Sequence, residues 1–483
     1  MDDWIRCKPG EATPIADIPC CGSEELGRRI LAETARGARV LFLSGRHTEH
    51  DVGLWAGLAD DATGTLLLCR CDRATANWDS LVESLPEIHL FERELAEDLG
   101  LTVDGHPWDK PVRRNFDKDF FRVEGSAVHE VAVGPVHAGV IEPGHFRFQC
   151  AGEEVLHLEA SFGYQHRGIL ALFQDATPAR RLALSETVSG DATIAHTTAW
   201  CLLNEAFAGQ GIPPRAASLR AVALELERLA CHVGDLGALA GDAGYLPTAS
   251  FCGRLRGDLL NATAMLCGNR FGRGLLRPGG LKTDFVRKDH LQRHLETTRR
   301  DVEGALRLLF ESASTISRFE GVGVLSGEDA HSLGLVGVAA RASGLARDAR
   351  ICHPSASFRS HPMPLTLETS GDVLARAQVR RRETEASFDW ISQELSELSE
   401  GPIYTPLSAA TGNAFAVSLC EGWRGEVIHL ASTDATGRID WWKPIDPSFR
   451  NWNGLALSLR GGQISDFPLC NKSFNLSYCG FDL

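Results

Sequence analysis

Eight side chains able to move protons or hold a ligand fall in short stretches at widely separated places along the chain. The stretch 186–196 reads ETVSGDATIAH and carries Ser189, Asp191 and His196, while 475–480 reads NLSYCG and carries Ser477 and Cys479. Between residues 134 and 148 the sequence GPVHAGVIEPGHFRF contributes Glu142, and QHRG, residues 165–168, contributes His166 and Arg167. Glu142, Asp191 and His196 are the candidate catalytic groups, because carboxylates and imidazole are the usual carriers of protons near neutral pH. His166, Arg167, Ser189, Ser477 and Cys479 are polar, charged or thiol groups able to hydrogen-bond a ligand. Only Cys479 offers the soft sulfur that a redox-active late transition metal prefers, so no metal site is expected on this chain.

These groups need elements to position them. In the 134–148 stretch Val136, Val140, Phe146 and Phe148 recur at roughly strand spacing, and Pro135, Pro143 and the glycines punctuate turns, which predicts a β-hairpin feeding a helix. From about residue 175 the pattern is helical. Leu219, Val222, Leu226, Leu229, Val233 and Leu236 form one apolar stripe, bordered by a polar row of Glu225, Arg228, His232 and Asp235. Such a row is a network holding helices in register or, as the second reading, a proton path. Further helices are expected over Lys288–Ile316 and Gly371–Leu398, and strands over Glu426–Ala431 and Ile439–Trp442.

The first 120 residues have a different texture. Ala38–Ser44 and Thr63–Cys71 read as short buried strands, and Ser23–Ala35, Trp78–Leu85 and Phe91–Leu99 as helices, the last with Glu92, Glu94, Glu97 and Asp98 on its outer side. The fold class is therefore α+β: a small α+β domain over 1–120, then a mainly α-helical core over 121–483 with β-hairpins at its N- and C-terminal ends. The joint is placed in the charged stretch Pro111–Asp119.

Composition narrows the function. A net charge of −14 without a concentrated basic patch argues against nucleic acid, and basic runs such as Arg380–Arg382 sit among glutamates, as on a solvated face. No run reaches the ~20 apolar residues of a bilayer-spanning helix, and Met1–Gly10 has no leader character, so membrane association is expected only through partners. Fourteen cysteines with no C-x-x-C leave no framework for a zinc or iron–sulfur site within the chain. Cys20-Cys21 and Cys69-x-Cys71 are the close pairs; Cys150, Cys201, Cys231 and Cys267 read as small buried apolar groups. No G-x-G-x-x-G opens a helix after a strand, so direct NAD binding is not expected.

The 134–148 block, followed by GEEVLHLEASFGYQHRGI, resembles the large subunit of membrane-bound [NiFe] hydrogenases and the 49 kDa subunit of respiratory complex I. LELERLACHVGDLGAL and the last sixty residues are similar to the same family. PEIHLFERELAEDLGLTVDGHPW, residues 86–108, resembles the end of the 30 kDa-type complex I subunit, the fused arrangement of formate hydrogenlyase-type large subunits. The resemblance implies four nickel-binding cysteines, and here their positions fall on Ser189, Ala192, Ser477 and Gly480, with Cys479 one place off. The quinone-gripping histidine and tyrosine of complex I fall on Ile141 and near Gly190. Glu142 takes the place of the hydrogenase proton-transfer glutamate, and His166 and Arg167 that of a basic pair facing a cluster-bearing partner.

What the resemblance implies is an oxidoreductase subunit at the cytoplasmic face of the membrane, without nickel, beside a small iron–sulfur subunit and antiporter-like membrane subunits. The iron–sulfur cluster would belong to the partner, a quinone is a candidate ligand, and NAD would act only through the complex. A quinone-reducing NADH dehydrogenase-type subunit and an inactive structural scaffold remain as alternatives.

Overall fold

The computed structural model describes residues 3–48, 51–74, 76–113, 120–137, 141–285 and 287–483. Most of the expected joint near Asp119, and Val140 of the hairpin, lie outside them.

The first sheet has the order β1-β5-β4-β3, from β1 (Ile5–Cys7), β3 (Arg39–His47), β4 (Val52–Asp60) and β5 (Thr65–Cys71), all antiparallel. Both faces of β4 are buried, which explains a near-continuous apolar run where a half-exposed strand would alternate. The helix Ser23–Thr34 packs on this sheet. The short strand β2 (Ala12–Pro14) leaves it and pairs with β13 (Ala414–Gly422), completing a sheet of order β15-β14-β13-β2 with β14 (Gly425–Thr433) and β15 (Ile439–Ile445). Arg39 reinforces that junction, its guanidinium donating to both carboxylate oxygens of Glu426 at 2.9 and 2.7 Å.

Trp78–Leu85 is not a helix. Asn77–Asp79 forms β6, which pairs in parallel with β7 (Thr102–Asp104), and the residues after it turn. The cause is Glu92 on the helix His89–Leu99. It is fully buried and accepts hydrogen bonds from Trp78 Nε1, Ser80 Oγ and Leu81 N, holding the segment open. Glu94 is also inside, paired with Arg113 and with Lys443 at 2.6 Å, so the expected outer acidic face of this helix is half a buried one.

The hairpin expected within 134–148 is displaced: Val136 lies in an exposed bend, and the sheet, of order β10-β9-β8, is built from β8 (Val128–Val133), β9 (His145–Ala151) and β10 (Glu154–Ser161). The two-residue strands β11 (Leu276–Arg277) and β12 (Gly280–Leu281) make a small hairpin. The helical core is built on the 29-residue helix Pro214–Asp242, packed by Thr193–Phe207, Leu246–Cys267 and Val373–Ser396. Among the four cysteines read as apolar filling, Cys150, Cys201 and Cys231 are buried and Cys267 only partly.

The polar row of the central helix is wholly interior. Arg228 bonds Glu225 at 3.1 Å and Glu383 at 3.4 Å, and its NH2 donates to the Glu421 carbonyl at 2.7 Å. Arg341 joins Glu383 to Glu421 at 2.8 and 2.7 Å, and Arg350 joins Asp348 to Glu225 at 2.6 and 3.1 Å. Arg380 is buried as well, on Asp235 at 2.8 Å, because the inward carboxylate overrides the solvated-face pattern.

His232 donates from Nε2 to Glu383 Oε2 at 2.9 Å, yet burial pushes its pKa down to about 4. Folded, the ring is neutral; unfolded, it takes a proton below about pH 6.5. Its contribution is therefore absent above that pH and becomes a loss of stability as the pH falls towards 4, on the order of 3 kcal/mol in full. Urea unfolding of His232→Gln at pH 7 and pH 4.5 should show a pH-dependent loss smaller by about 2 to 3 kcal/mol than in the parent chain. Equal losses in the two proteins would refute this.

Candidate functional site

The two polar stretches meet. Ser477 caps the short helix Tyr478–Asp482, its Oγ accepting from Gly480 N at 2.9 Å, and this Oγ lies 3.0 Å from Ser189 Oγ in the turn before the helix Thr193–Phe207. Ser189 Oγ donates to Asp191 Oδ1 at 3.2 Å. An ionised carboxylate only accepts, so Ser189 takes its own bond from the Ser477 hydroxyl, and the two hydroxyls point their protons towards Asp191. Cys479 Sγ stands 3.4 Å from Ser477 Oγ, and its backbone N–H donates to Glu142 Oε2 at 3.1 Å. Burial, with the nearby charge of Glu142, pushes the thiol up to about 11, so Cys479 is a neutral S–H. Cys479, Ser477, Ser189 and Asp191 thus form one line of proton-bearing groups, and Glu142 adjoins it at the Cys479 backbone amide with its charge acting on the thiol.

Arg424 holds the far end. Its guanidinium donates to both oxygens of Asp191, 2.8 Å from Oδ2, and its Nε bonds the Asn475 carbonyl. It also lies over the Trp423 ring at 3.9 Å. Asn475 in turn donates to Asp235 at 2.6 Å, which links the site to the buried ion pairs of the central helix. The Asp191 side chain remains 36% exposed and is the solvent-facing member of the group.

His196 is fully buried and one step removed. Trp442 Nε1 is a pure donor and sits 3.3 Å from His429 Nδ1, so His429 carries its proton on Nε2. That proton faces His196 Nδ1 at 3.1 Å, which leaves His196 Nε2–H to donate to Asp446 Oδ2 at 3.0 Å. Burial opposes the charge on Asp446, but the hydrogen bond from His196, with the charge of Arg424 and a hydrogen bond from Ser448, holds it below the usual carboxylate range. Burial pushes His429 well below the usual imidazole range, so it is neutral. Asp446 presses against Gly480: a Cβ there would stand 2.7 Å from the carboxylate Cγ and Oδ2.

His166 and Arg167 are surface residues that fasten this junction. His166 Nδ1 donates to the Asp482 carbonyl at 2.8 Å, and Arg167 donates to the carbonyls of Thr187, Val188 and Cys479, the last two at 2.9 and 3.1 Å. Of the groups singled out by sequence, Glu142, Ser189, Asp191, Ser477 and Cys479 form one cluster, His196 reaches it through Asp446, and His166 and Arg167 clamp it. Arg424, Asp446, His429 and Asn475 were not anticipated. Arg424 lies in Trp-Arg-Gly between two apolar runs, which reads as an exposed turn, and only tertiary packing turns it inward.

Among the described residues no three His, Cys, Asp or Glu side chains are gathered as a metal ion requires. The gap beside Asp446 and Gly480, lined also by Glu94, Arg113, Lys443 and Phe449, has no space large enough for a water molecule. No helix among the described residues is long and apolar enough to cross a membrane.

The chain sets a polar centre drawn from residues 142–196 and 424–480 in a helical core with hairpin sheets, and its relatives by sequence are complex I-like oxidoreductase subunits. The family described as "Respiratory-chain NADH dehydrogenase, 49 Kd subunit" matches residues 242–412. The carbon monoxide-induced hydrogenase of Rhodospirillum rubrum is 30% identical over 352 residues, 72% of this chain and 98% of its own length. Formate hydrogenlyase subunit 5 of Escherichia coli is 32% identical over 351 residues, 72% of this chain but 62% of its own length. NADH-quinone oxidoreductase subunit 4 of Thermus thermophilus is 29% identical over 69% of this chain and 89% of its own. The chain belongs to the large-subunit family that hydrogenases of this kind share with the 49 kDa subunit of respiratory NADH dehydrogenase.

The close approach of Asp446 makes position 480 a sensitive probe. Gly480→Ala should cost about 1 to 3 kcal/mol through overcrowding, measured by denaturant unfolding, whereas Gly462→Ala, whose added carbon meets nothing nearer than 3.2 Å, should cost less. Equal costs would mean that the 480 site yields freely.

Proposed function

We propose that this chain is the large subunit of a membrane-associated, complex I-like oxidoreductase built on the hydrogenase scaffold. It takes part in electron transfer beside a small iron–sulfur subunit, works without nickel, and is coupled through antiporter-like membrane subunits to ion translocation at the cytoplasmic face. Relatives of this chain are subunits of hydrogenase and NADH-quinone oxidoreductase complexes, which supports assembly with partners and peripheral association with the membrane. NAD and any iron–sulfur cluster would belong to other subunits.

The observation that carries the reading is the Ser189–Ser477 contact at 3.0 Å with Gly480 against Asp446. At the positions where the resemblance implies sulfur stand two hydroxyls, Ala192 and a glycine with no room for a side chain. One neutral thiol, Cys479, is left, and nickel in this family requires soft anionic donors. The residues present do not fit that metal.

What they do fit is proton handling. Glu142 is half-buried beside one end of the line and Asp191 reaches solvent at the other, so a change of charge on a neighbouring redox centre would be answered by a proton shift along the hydroxyls between them. Arg424 keeps Asp191 in place as the acceptor. A second reading, an inactive scaffold, is favoured by the hydrogen bonds and ion pairs that the polar groups of the site already make with one another.

The test uses the intact complex purified from its membrane. Metal analysis should find nickel far below stoichiometry and hydrogen uptake should be absent; stoichiometric nickel would overturn the reading. Glu142→Gln should lower electron transfer and ion pumping together by about 100-fold or more, as loss of a proton-transfer group does. Unchanged rates would leave the scaffold.

A further inference from the structure

The N-terminal sheet holds a cluster of thiols that the site chemistry does not use. Cys21 Sγ lies 3.8 Å from Cys69 Sγ, the two sulfurs coming from the segment after β2 and from β5. Backbone bonds fix the two segments side by side: Arg70 N donates to the Pro19 carbonyl at 2.9 Å and Cys21 N to the Arg70 carbonyl at 3.0 Å. Arg29 NH1, from the helix Ser23–Thr34, sits 3.7 Å from Cys69 Sγ and is itself held by Glu25 and Asp3. Cys69 is buried, whereas Cys21 is partly exposed and therefore reachable. An open cleft of about 780 Å³, lined by Arg6, Arg36 and Arg70 and by Asp3, Asp17 and Glu33, includes Cys20, one residue away.

We propose that Cys21 and Cys69 form a redox-active dithiol that is oxidised to a disulfide by low-molecular-weight disulfides. The hydrogen bond from Cys21 and the charge of Arg29 favour the Cys69 thiolate, and the same contact raises Cys21, so the pair ionises once and shares the remaining proton across the gap. Cys21, the sulfur that solvent reaches, passes its proton across the 3.8 Å gap to the Cys69 thiolate as it attacks the small disulfide RSSR, forming Cys21–S–S–R and releasing RS⁻. Cys69 then gives its proton to water beside Arg29 and attacks Cys21 Sγ, forming the Cys21–Cys69 bond and releasing the second RS⁻. Two electrons leave the protein thiols and reduce RSSR to two thiols. The new bond would tie the segment leading from β2, and hence the edge of the sheet built on β13, to β5.

The full-length chain equilibrated with graded ratios of reduced glutathione and glutathione disulfide, then acid-trapped and mapped by peptide mass, tests this. Free thiols should fall from fourteen to twelve with a single Cys21–Cys69 cross-link. Cys69→Ser should stop at a glutathione adduct on Cys21, and Cys21→Ser should give no cross-link. Arg29→Gln should slow closure roughly tenfold at pH 7 and much less at pH 9, where thiolate forms without help. Retention of all fourteen thiols under oxidising ratios, a cross-link through Cys20 or Cys71 instead, or an adduct in Cys69→Ser that avoids Cys21 would each overturn the proposal.

Discussion

Three buried guanidinium groups set against four buried carboxylates hold this protein together. Arg228, Arg341 and Arg350 face Glu225, Asp348, Glu383 and Glu421, with His232 neutral beside them. One carboxylate is in excess, and the strain falls on Glu421, which burial and the charge of Asp348 push up to about 7. Because each arginine bridges different elements, the central helix, the helix Val373–Ser396, the loop around Asp348 and β13 can adopt only one mutual arrangement. Isolated buried ions would be costly to keep; a network in which almost every donor finds an acceptor offsets that cost and confers orientation. Asp235, at the end of the same row, passes this orientation to Asn475 and so to Arg424.

The candidate site is a seam between distant parts of the chain. Turn residues 187–191 and the helix Tyr478–Asp482 are each too short to have a stable position alone, and they gain one from each other through Ser189, Ser477 and the carbonyls that Arg167 collects. Where the family resemblance implies sulfur, this chain substitutes hydrogen bonds among hydroxyls, a carboxylate and an arginine. The exchange preserves convergence while changing the chemistry from soft-metal ligation to proton-bearing polar contacts.

Periodic features were legible from residues alone. The central helix, the helix after Lys288 and strands β3, β5, β14 and β15 announce themselves by apolar spacing, with ends that differ from expectation by a few residues, whereas the buried strands β4 and β13 and the three-residue β1 and β2 were not foreseen. What also escaped is what depends on buried charge. Glu92, Glu94, Arg380 and Arg424 are polar residues in patterns that read as exposed, and each is inside because a specific partner from elsewhere in the chain meets it. The same cause turned Trp78–Leu85 from an expected helix into a strand and turn. Ser189, Asp191, Ser477 and Cys479 were located by resemblance to a family, since nothing in their local spacing says that residues nearly three hundred positions apart share a hydrogen bond.

The placement of β2 bears on how the polypeptide can be divided. Its three residues cover one flank of β13, a strand buried along its whole length, and Arg39 satisfies Glu426 in the neighbouring strand. A fragment cut near residue 120 would leave that flank as a row of unpaired amides and carbonyls beside an uncompensated interior anion. Such an edge is a template for other chains, so the expected fate of the separated C-terminal portion is intermolecular strand pairing and aggregation.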